Sequence, residues 1–255
     1  LNLGLSLLLI VGVGMGWEGR LIGILSAVLL FAALGLVTLR RASELEWSFD
    51  TAYAKDALRF GVPLIPHVLG GLLIATSDRL MVAKLMSVQD AGIYAAGMQI
   101  GLVISVLADA VVKALGPWMF ANLALNDEAV KRKIVRMTYL FFIGIAAISI
   151  AFSLVAPYLL LLVGEGFRSS GSIVAYVALG AAFGGMYLMV VNYIFYVKRN
   201  EFLSVASLSI GMFNVVASYF LIQRNGAEGA AQAYAMSQLL MFLFSRLLSS
   251  SGKNL

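Results

Sequence analysis

Long apolar runs separated by short polar stretches organise this chain. Eight runs, at 3–16, 21–39, 60–83, 91–116, 134–163, 172–197, 202–222 and 229–248, reach or approach what a membrane span requires. A spanning helix needs about 20 mostly apolar residues. The first run is short at its start. The fifth is long and contains Pro157, which predicts either a kinked helix or a span followed by a short interfacial piece. None of the runs alternates with the period of two that a barrel strand would show, and only helices otherwise satisfy their own backbone bonds in lipid. The pattern therefore predicts an all-α fold, a polytopic helical membrane protein with eight transmembrane helices.

Composition agrees and narrows the class. Of 255 residues, 61% are apolar and 12% charged, and the mean hydropathy is +0.94. A soluble domain has about 45–50% apolar and about 25% charged residues. Water-soluble domains, disordered tails and nucleic-acid binders are excluded, so no nucleic acid is expected as a partner. The net charge of +5 reports loop topology. Alternate loops carry 12 basic residues on one side and 4 on the other. The rich side includes Arg40, Arg41, Lys55 and Arg59, the cluster Lys131, Arg132, Lys133 and Arg136, and the pairs Lys198 with Arg199 and Arg246 with Lys253. The poor side has Arg20, Lys84, Arg168 and Arg224. The positive-inside rule assigns the rich side to the cytoplasm. There is no cysteine, which removes disulfides and thiolate-held metals. The chain starts at Leu1, within an apolar run and without a basic n-region, which is not the pattern of a signal peptide. Such a start is expected of a segment of a longer protein.

An internal repeat sets the expected domains. Gly16-Trp17-Glu18-Gly19 introduces the second span, and Gly226-Ala227-Glu228-Gly229 introduces the eighth. Asn2 and Asn214 lie upstream of the two turns, which are 210 residues or six spans apart. An even number of spans gives both copies one orientation, as in parallel repeats related by an axis along the membrane normal. Residues 1–40 then form the last two helices of an N-terminal lobe, 41–59 a cytoplasmic interfacial linker, and 60–250 a complete six-helix lobe. In the linker, Phe49, Tyr53, Ala57 and Phe60 fall on one helical face after Trp47, which suits a short helix at the interface. A solvated linker is the other reading. Two unrelated hairpins with Gly-rich turns would be the alternative to the repeat.

Charges inside spans are the candidate chemistry, because each costs about 2.5–3.5 kcal/mol to insert. The third span carries Thr76-Ser77-Asp78-Arg79, and the fourth carries Asp109 and Lys113 at i, i+4. One reading is architectural, with each group a self-cancelling ion pair that ties helices together. The other makes Arg79 and Lys113 binding groups for an anion crossing the bilayer, Arg79 with a planar fork that matches phosphate oxygens. Asp78 and Asp109 would then hold those cations in the empty site or bind a coupling cation. His67, the sole histidine, follows Pro63 and Pro66 near the cytoplasmic start of the third span. It reads as an interfacial or packed residue, while the prolines predict a distorted entry to the helix. Gly97 with Gly101 and Gly180 with Gly184 have the spacing of close helix contacts. Gln99, Asn192, Gln232 and Gln238 are weaker cavity candidates.

Enzyme signatures are missing. The chain has no Asp-x-Asp pair, no His-x-x-x-Asp, no phosphate-binding loop and no His cluster, and no loop is long enough for a soluble catalytic domain. The expectation is a protein without catalytic residues, metal or cofactor.

Three stretches carry a family resemblance. Phe60-Gly61-Val62-Pro63-Leu64-Ile65-Pro66, then Ser77-Asp78-Arg79, then Asp90-Ala91-Gly92-Ile93-Tyr94-Ala95 resemble the polysaccharide biosynthesis export proteins. These are the O-antigen and lipid-linked oligosaccharide flippases of the multidrug/oligosaccharidyl-lipid/polysaccharide exporter superfamily. The Gly-x-Glu-Gly turns resemble those before the family's sixth and twelfth helices. The resemblance implies two six-helix lobes around a cavity, of which this chain lacks about four helices. It implies movement of a polyprenyl-pyrophosphate-linked oligosaccharide to the outer leaflet of the cytoplasmic membrane of a bacterium or archaeon. A cation gradient or the membrane potential would supply the energy. A polysaccharide polymerase and glycosyltransferases would be possible partners. Cation-coupled multidrug efflux within the same superfamily, and a non-transporting scaffold for polysaccharide synthesis, stay open beside it. A membrane-embedded glycan polymerase is disfavoured by the lack of a large outer loop.

Overall fold

A computed structural model describes residues 1–42, 50–123, 127–163, 170–196 and 200–250, without the side chains at 60, 159, 161–163, 195–196, 200–202 and 249–250. Trp47 and Phe49 of the linker and the loop charges Arg168, Lys198, Arg199 and Lys253 lie outside the described residues, as does the side chain of Phe60. Among the described residues there is no strand. The chain divides into two compact units, Leu1–Asp56 and Ala57–Leu255.

The first unit is a helical hairpin. Helix α1 (Asn2–Leu7) runs into a π-helical turn (Leu8–Gly12), Gly14 at φ +76° reverses the chain, and α2 (Trp17–Arg41) returns. Glu18 in the first turn of α2 and Arg40 and Arg41 in its last complement the helix dipole. The hairpin closes through small residues: Gly23 packs on Ser6, and Gly19 packs on Leu9. The large side chains of α2, such as Leu25, Leu29 and Phe31, point outward, as suits a surface in hydrocarbon. Helix α3 (Thr51–Gly61) forms where the linker helix was expected, opened by Asp50 accepting from the Ala52 backbone N–H, with Tyr53 and Ala57 exposed.

The second unit starts at a 3-10 turn (Val62–Leu64), where Pro63 and then Pro66 occupy first-turn positions, the place a helix tolerates proline. Helix α4 (Ile65–Leu85) follows. Ser87 caps α5 (Val88–Gly101), accepting from the Asp90 backbone N–H and donating to its carboxylate. The expected fourth span is in fact two helices, α5 and α6 (Val103–Leu123), broken at Leu102 directly after Gly101, a residue that holds a helix poorly. Helix α7 (Glu128–Val163) is continuous through Pro157, so the fifth run is one long helix of 36 residues. Helices α8 (Gly171–Tyr196), α9 (Asn200–Asn225) and α10 (Ala227–Ser250) complete the unit.

Helix α8 is the core, with Val174, Val177, Ala178, Ala181 and Ala182 fully buried. Each glycine of the two spaced pairs marks a close approach. Gly97 and Gly101 of α5 meet Ile173 and Val177 of α8; Gly180 and Gly184 of α8 meet Tyr234 and Gln238 of α10. Helices α4 and α9 run parallel and in register: His67 pairs with Ser207, Gly70 meets the Ser207 backbone, and Asp78 meets Ser218. Parallel neighbours are what the third and seventh of eight spans should be. Among the described residues, six segments can cross a membrane by length and composition, namely Trp17–Arg41, Thr51–Leu85, Val88–Leu123, Glu128–Tyr158, Gly171–Ile194 and Leu203–Asn225. The apolar helix Asn2–Gly12 is shorter, and Gln232, Gln238 and Arg246 make the 24-residue α10 more polar. The predicted all-α, polytopic membrane fold is borne out.

Candidate functional site

The α4–α9 seam holds two polar clusters, one at each end of a backbone contact. Gly70 lies against the Ser207 carbonyl, and Gly211 lies against the Gly70 backbone, so the helices touch with no side chain between them. Toward the start of α4, His67 Nδ1 is 2.6 Å from Ser207 Oγ, and its Nε2 is 3.4 Å from the Tyr187 hydroxyl of α8. Ser207 donates to the Leu203 carbonyl at 2.7 Å. That direction makes Nδ1 the donor to Ser207 and Nε2 the acceptor from Tyr187, a neutral ring with both nitrogens used. His67 thus pins the proline-broken start of α4 to two neighbours.

Eleven residues along, about 16 Å at the helical rise, Asp78 is 1% exposed. Ser218 donates to its Oδ1 at 2.5 Å, and the buried Tyr94 hydroxyl of α5 donates to Oδ2 at 3.4 Å. Ser77 donates to the Leu73 carbonyl at 2.5 Å, with Asn214 Oδ1 as second acceptor at 3.1 Å. The Asn214 amide, fully buried, completes the surroundings of the carboxyl. Four polar side chains from three helices, Ser77, Tyr94, Asn214 and Ser218, gather around one acid. A buried carboxylate is expensive unless paired or hydrogen-bonded, yet among the described residues no Lys or Arg pairs with Asp78.

The expected cancellation of Asp78 by Arg79 does not form among the described residues. Consecutive helical residues point about 100° apart, so Asp78 faces the seam and Arg79 is exposed. Asp109 and Lys113 of α6 do pair, at 2.6 Å, and their side chains are 44% and 75% exposed. The four charged candidates therefore divide into one buried acid and three groups that reach the surface of the unit. Sequence reasoning singled out Asp78 but not Ser218, Asn214, Tyr94 or Ser77 as its partners. Asn214 and Ser218, polar and spaced i, i+4 inside an apolar run, are the signal that could have found them.

Comparison with known proteins shows what the chain is similar to. Residues 3–123 match the family described as polysaccharide biosynthesis protein. That stretch holds Asp78, Arg79, Asp109 and Lys113, and it bears out the family resemblance read from the sequence. Over 151 residues the chain is 27% identical to the "Lsg locus putative protein 1" of Haemophilus influenzae, covering 59% of this chain and 38% of the relative. Over 202 residues it is 30% identical to an "Uncharacterized membrane protein" of the same organism, covering 76% of this chain and 49% of the relative. The chain thus spans half or less of the length of these curated relatives. No solved structure matches. The chain is a multi-pass membrane protein in contact with the lipid bilayer, and its first half is similar to the polysaccharide biosynthesis protein family.

Proposed function

We propose that the protein flips a polyprenyl-pyrophosphate-linked oligosaccharide across the cytoplasmic membrane by alternating access, without catalysing a reaction. One observation carries this reading: Arg79, Asp109 and Lys113 are charged, lie within membrane-spanning helices, and still reach the surface of the second unit. Hydrocarbon does not tolerate charge, so that surface belongs against a polar cavity. Moving a hydroxyl-rich glycan and a pyrophosphate through lipid is prohibitive; a cavity with Arg79 and Lys113 in its wall lowers that barrier while the polyprenyl tail stays in the bilayer. Lys113 is held by Asp109 until an anion displaces it, whereas Arg79 has no ion pair among the described residues.

Asp78 gives the reading a second part. Its carboxyl oxygens, with the hydroxyls of Ser218 and Tyr94 beside them, offer a hard cation oxygen ligands. We place the coupling cation there, a proton or a small metal ion, on the seam between α4 and α9. Occupation would favour a closed seam, and release would let α4 swing at its proline-broken start.

The test is to express the whole reading frame that encodes this chain in a bacterium lacking its oligosaccharide flippase, and to measure surface polysaccharide and undelivered lipid-linked oligosaccharide. Restored polysaccharide that Arg79→Ala abolishes, with equal protein in the membrane, is the expected result. Full restoration by Arg79→Ala would remove Arg79 from the mechanism. Restoration by neither protein, alongside resistance to cationic drugs, would move the reading to efflux.

A further inference from the structure

Beyond that cavity, the opposite kind of surface lies between α7 and α10. Helix α7 is 36 residues, about 54 Å at the helical rise, against about 30 Å of hydrocarbon. Its first turns must therefore stand at headgroup level or beyond. Ile134, 1% exposed, fixes the rotation of this end by packing with Val112, Met119 and Met189. Two of its four cations are already engaged: Lys131 pairs with Glu128 at 2.8 Å, and Lys133 lies over the Trp118 ring at 5.6 Å. Arg132 and Arg136, spaced i, i+4, are exposed and in no ion pair among the described residues.

Along the same face as Arg136 run Leu140, Ile143, Ile150 and Leu154, all exposed. Next to it, α10 passes antiparallel, joined by an edge-to-face contact of Phe142 with Phe242 at 5.2 Å. One turn beyond Arg136, Tyr139 accepts from Arg246 Nη2 at 2.7 Å, and the guanidinium stacks over its ring at 5.3 Å. Leu243 and Leu247 of α10 are exposed beside it. The arrangement is an exposed apolar strip on α7 and α10 with Arg136 and Arg246 at its head, Arg132 one turn before them and Tyr139 at the boundary.

We propose that this strip is a binding site for an anionic phospholipid of the leaflet at that end, which the loop charges assign to the cytoplasm. Guanidinium forks match phosphate oxygens bidentately, and Tyr139 at this level is the residue type of the membrane interface. A free phosphate ion would satisfy the arginines but leave the apolar strip below them without a role. A lipid fills both: its phosphate sits between Arg136 and Arg246, and its acyl chains lie along α7 and α10. Charge complementarity and the continuous apolar strip select this occupant.

The chain purified in phosphatidylcholine nanodiscs, titrated with phosphatidylglycerol and read by native mass spectrometry, tests the site. The wild type should retain phosphatidylglycerol in preference to phosphatidylcholine. Replacing Arg136→Gln and Arg246→Gln together should weaken that retention about 30-fold, about fivefold per cation removed. Arg40→Gln with Arg41→Gln removes the same charge elsewhere and should leave it unchanged. Equal loss in both pairs, or in neither, overturns the proposal. Displacement of the lipid by millimolar inorganic phosphate also overturns it, in favour of a free-anion site. Arg136 is exposed and in no ion pair among the described residues, so its replacement should not change melting in phosphatidylcholine discs, whereas Arg246 holds Tyr139 and its replacement removes that contact. Should the double variant melt early, Arg136→Gln alone carries the test with its fivefold loss.

Discussion

Asp78 shows what one residue decides in this fold. Its carboxyl is the acceptor for Ser218 and Tyr94, so Asp78→Ala leaves two buried hydroxyls without their partner. A lost buried partner costs about 1–3 kcal/mol, and the melting temperature in detergent should fall accordingly. Asp78→Asn keeps an acceptor oxygen and the shape, and should melt close to the wild type while abolishing cation-dependent transport. Equal transport by Asp78→Asn would take the cation from this seam. At the other cluster, Tyr187→Phe removes only the donor to His67 Nε2 and should cost about 1 kcal/mol. A loss of transport larger than that of stability would give His67 a part in movement. The cost of a charge in a span made Asp78 and Arg79 legible as a sequence signal. The divergence of their side chains follows from helical geometry alone. The convergence of Tyr94, Asn214 and Ser218 on Asp78 depends on which helices are neighbours, and one sequence carries no record of that.

At the scale of helices, glycine placement explains the pairings. Gly70 and Gly71 are adjacent and chemically identical, yet a Cβ at Gly70 would overlap the Ser207 carbonyl while one at Gly71 meets nothing. Gly70→Ala should therefore separate α4 from α9 and destabilise by about 1–3 kcal/mol, the range for overpacking. Gly71→Ala should stay within about 0.5 kcal/mol. Thermal melting of the two variants side by side decides it, and equal melting would place the seam wrongly. The two Gly-x-Glu-Gly turns follow the same logic. Gly19 packs on Leu9 as α2 returns along α1, and Gly229 packs on the Leu221 backbone as α10 returns along α9. A shared position with a shared packing task supports the internal repeat, which we carry forward as a proposal. Run lengths made the helices themselves legible, because a span has to be long and apolar. The break at Leu102 was not, since both sides of it are equally apolar. Of the two readings of Pro157, the structure takes the single helix, with α7 running through it.

For the whole molecule, orientation links the pieces, and the parallel run of α4 and α9 constrains it. If both helices leave the same side, the turns at 86–87 and 225–226 of the second unit share one face of the membrane, and the start of α7 at 127–128 lies at the other. By the positive-inside rule, the 12-to-4 division of basic residues predicts a cytoplasmic position for the second face. That assignment also puts Arg136 and Arg246 in the inner leaflet and sets the direction in which Arg79 and Lys113 meet substrate. The chain contains no cysteine, so single cysteines can be read without background. Substitutions at Met15, Val88 and Asn225 should react with a membrane-impermeant maleimide added to spheroplasts, and those at Ala42 and Ala129 only after permeabilisation. Each position lies at a helix end and outside the seam and the strip, so the fold should tolerate the change. The reverse pattern throughout would turn the protein over and move the lipid site to the outer leaflet. A mixed pattern within either set would break the count of spans, and with it the parallel pairing of α4 and α9 on which the Asp78 site rests.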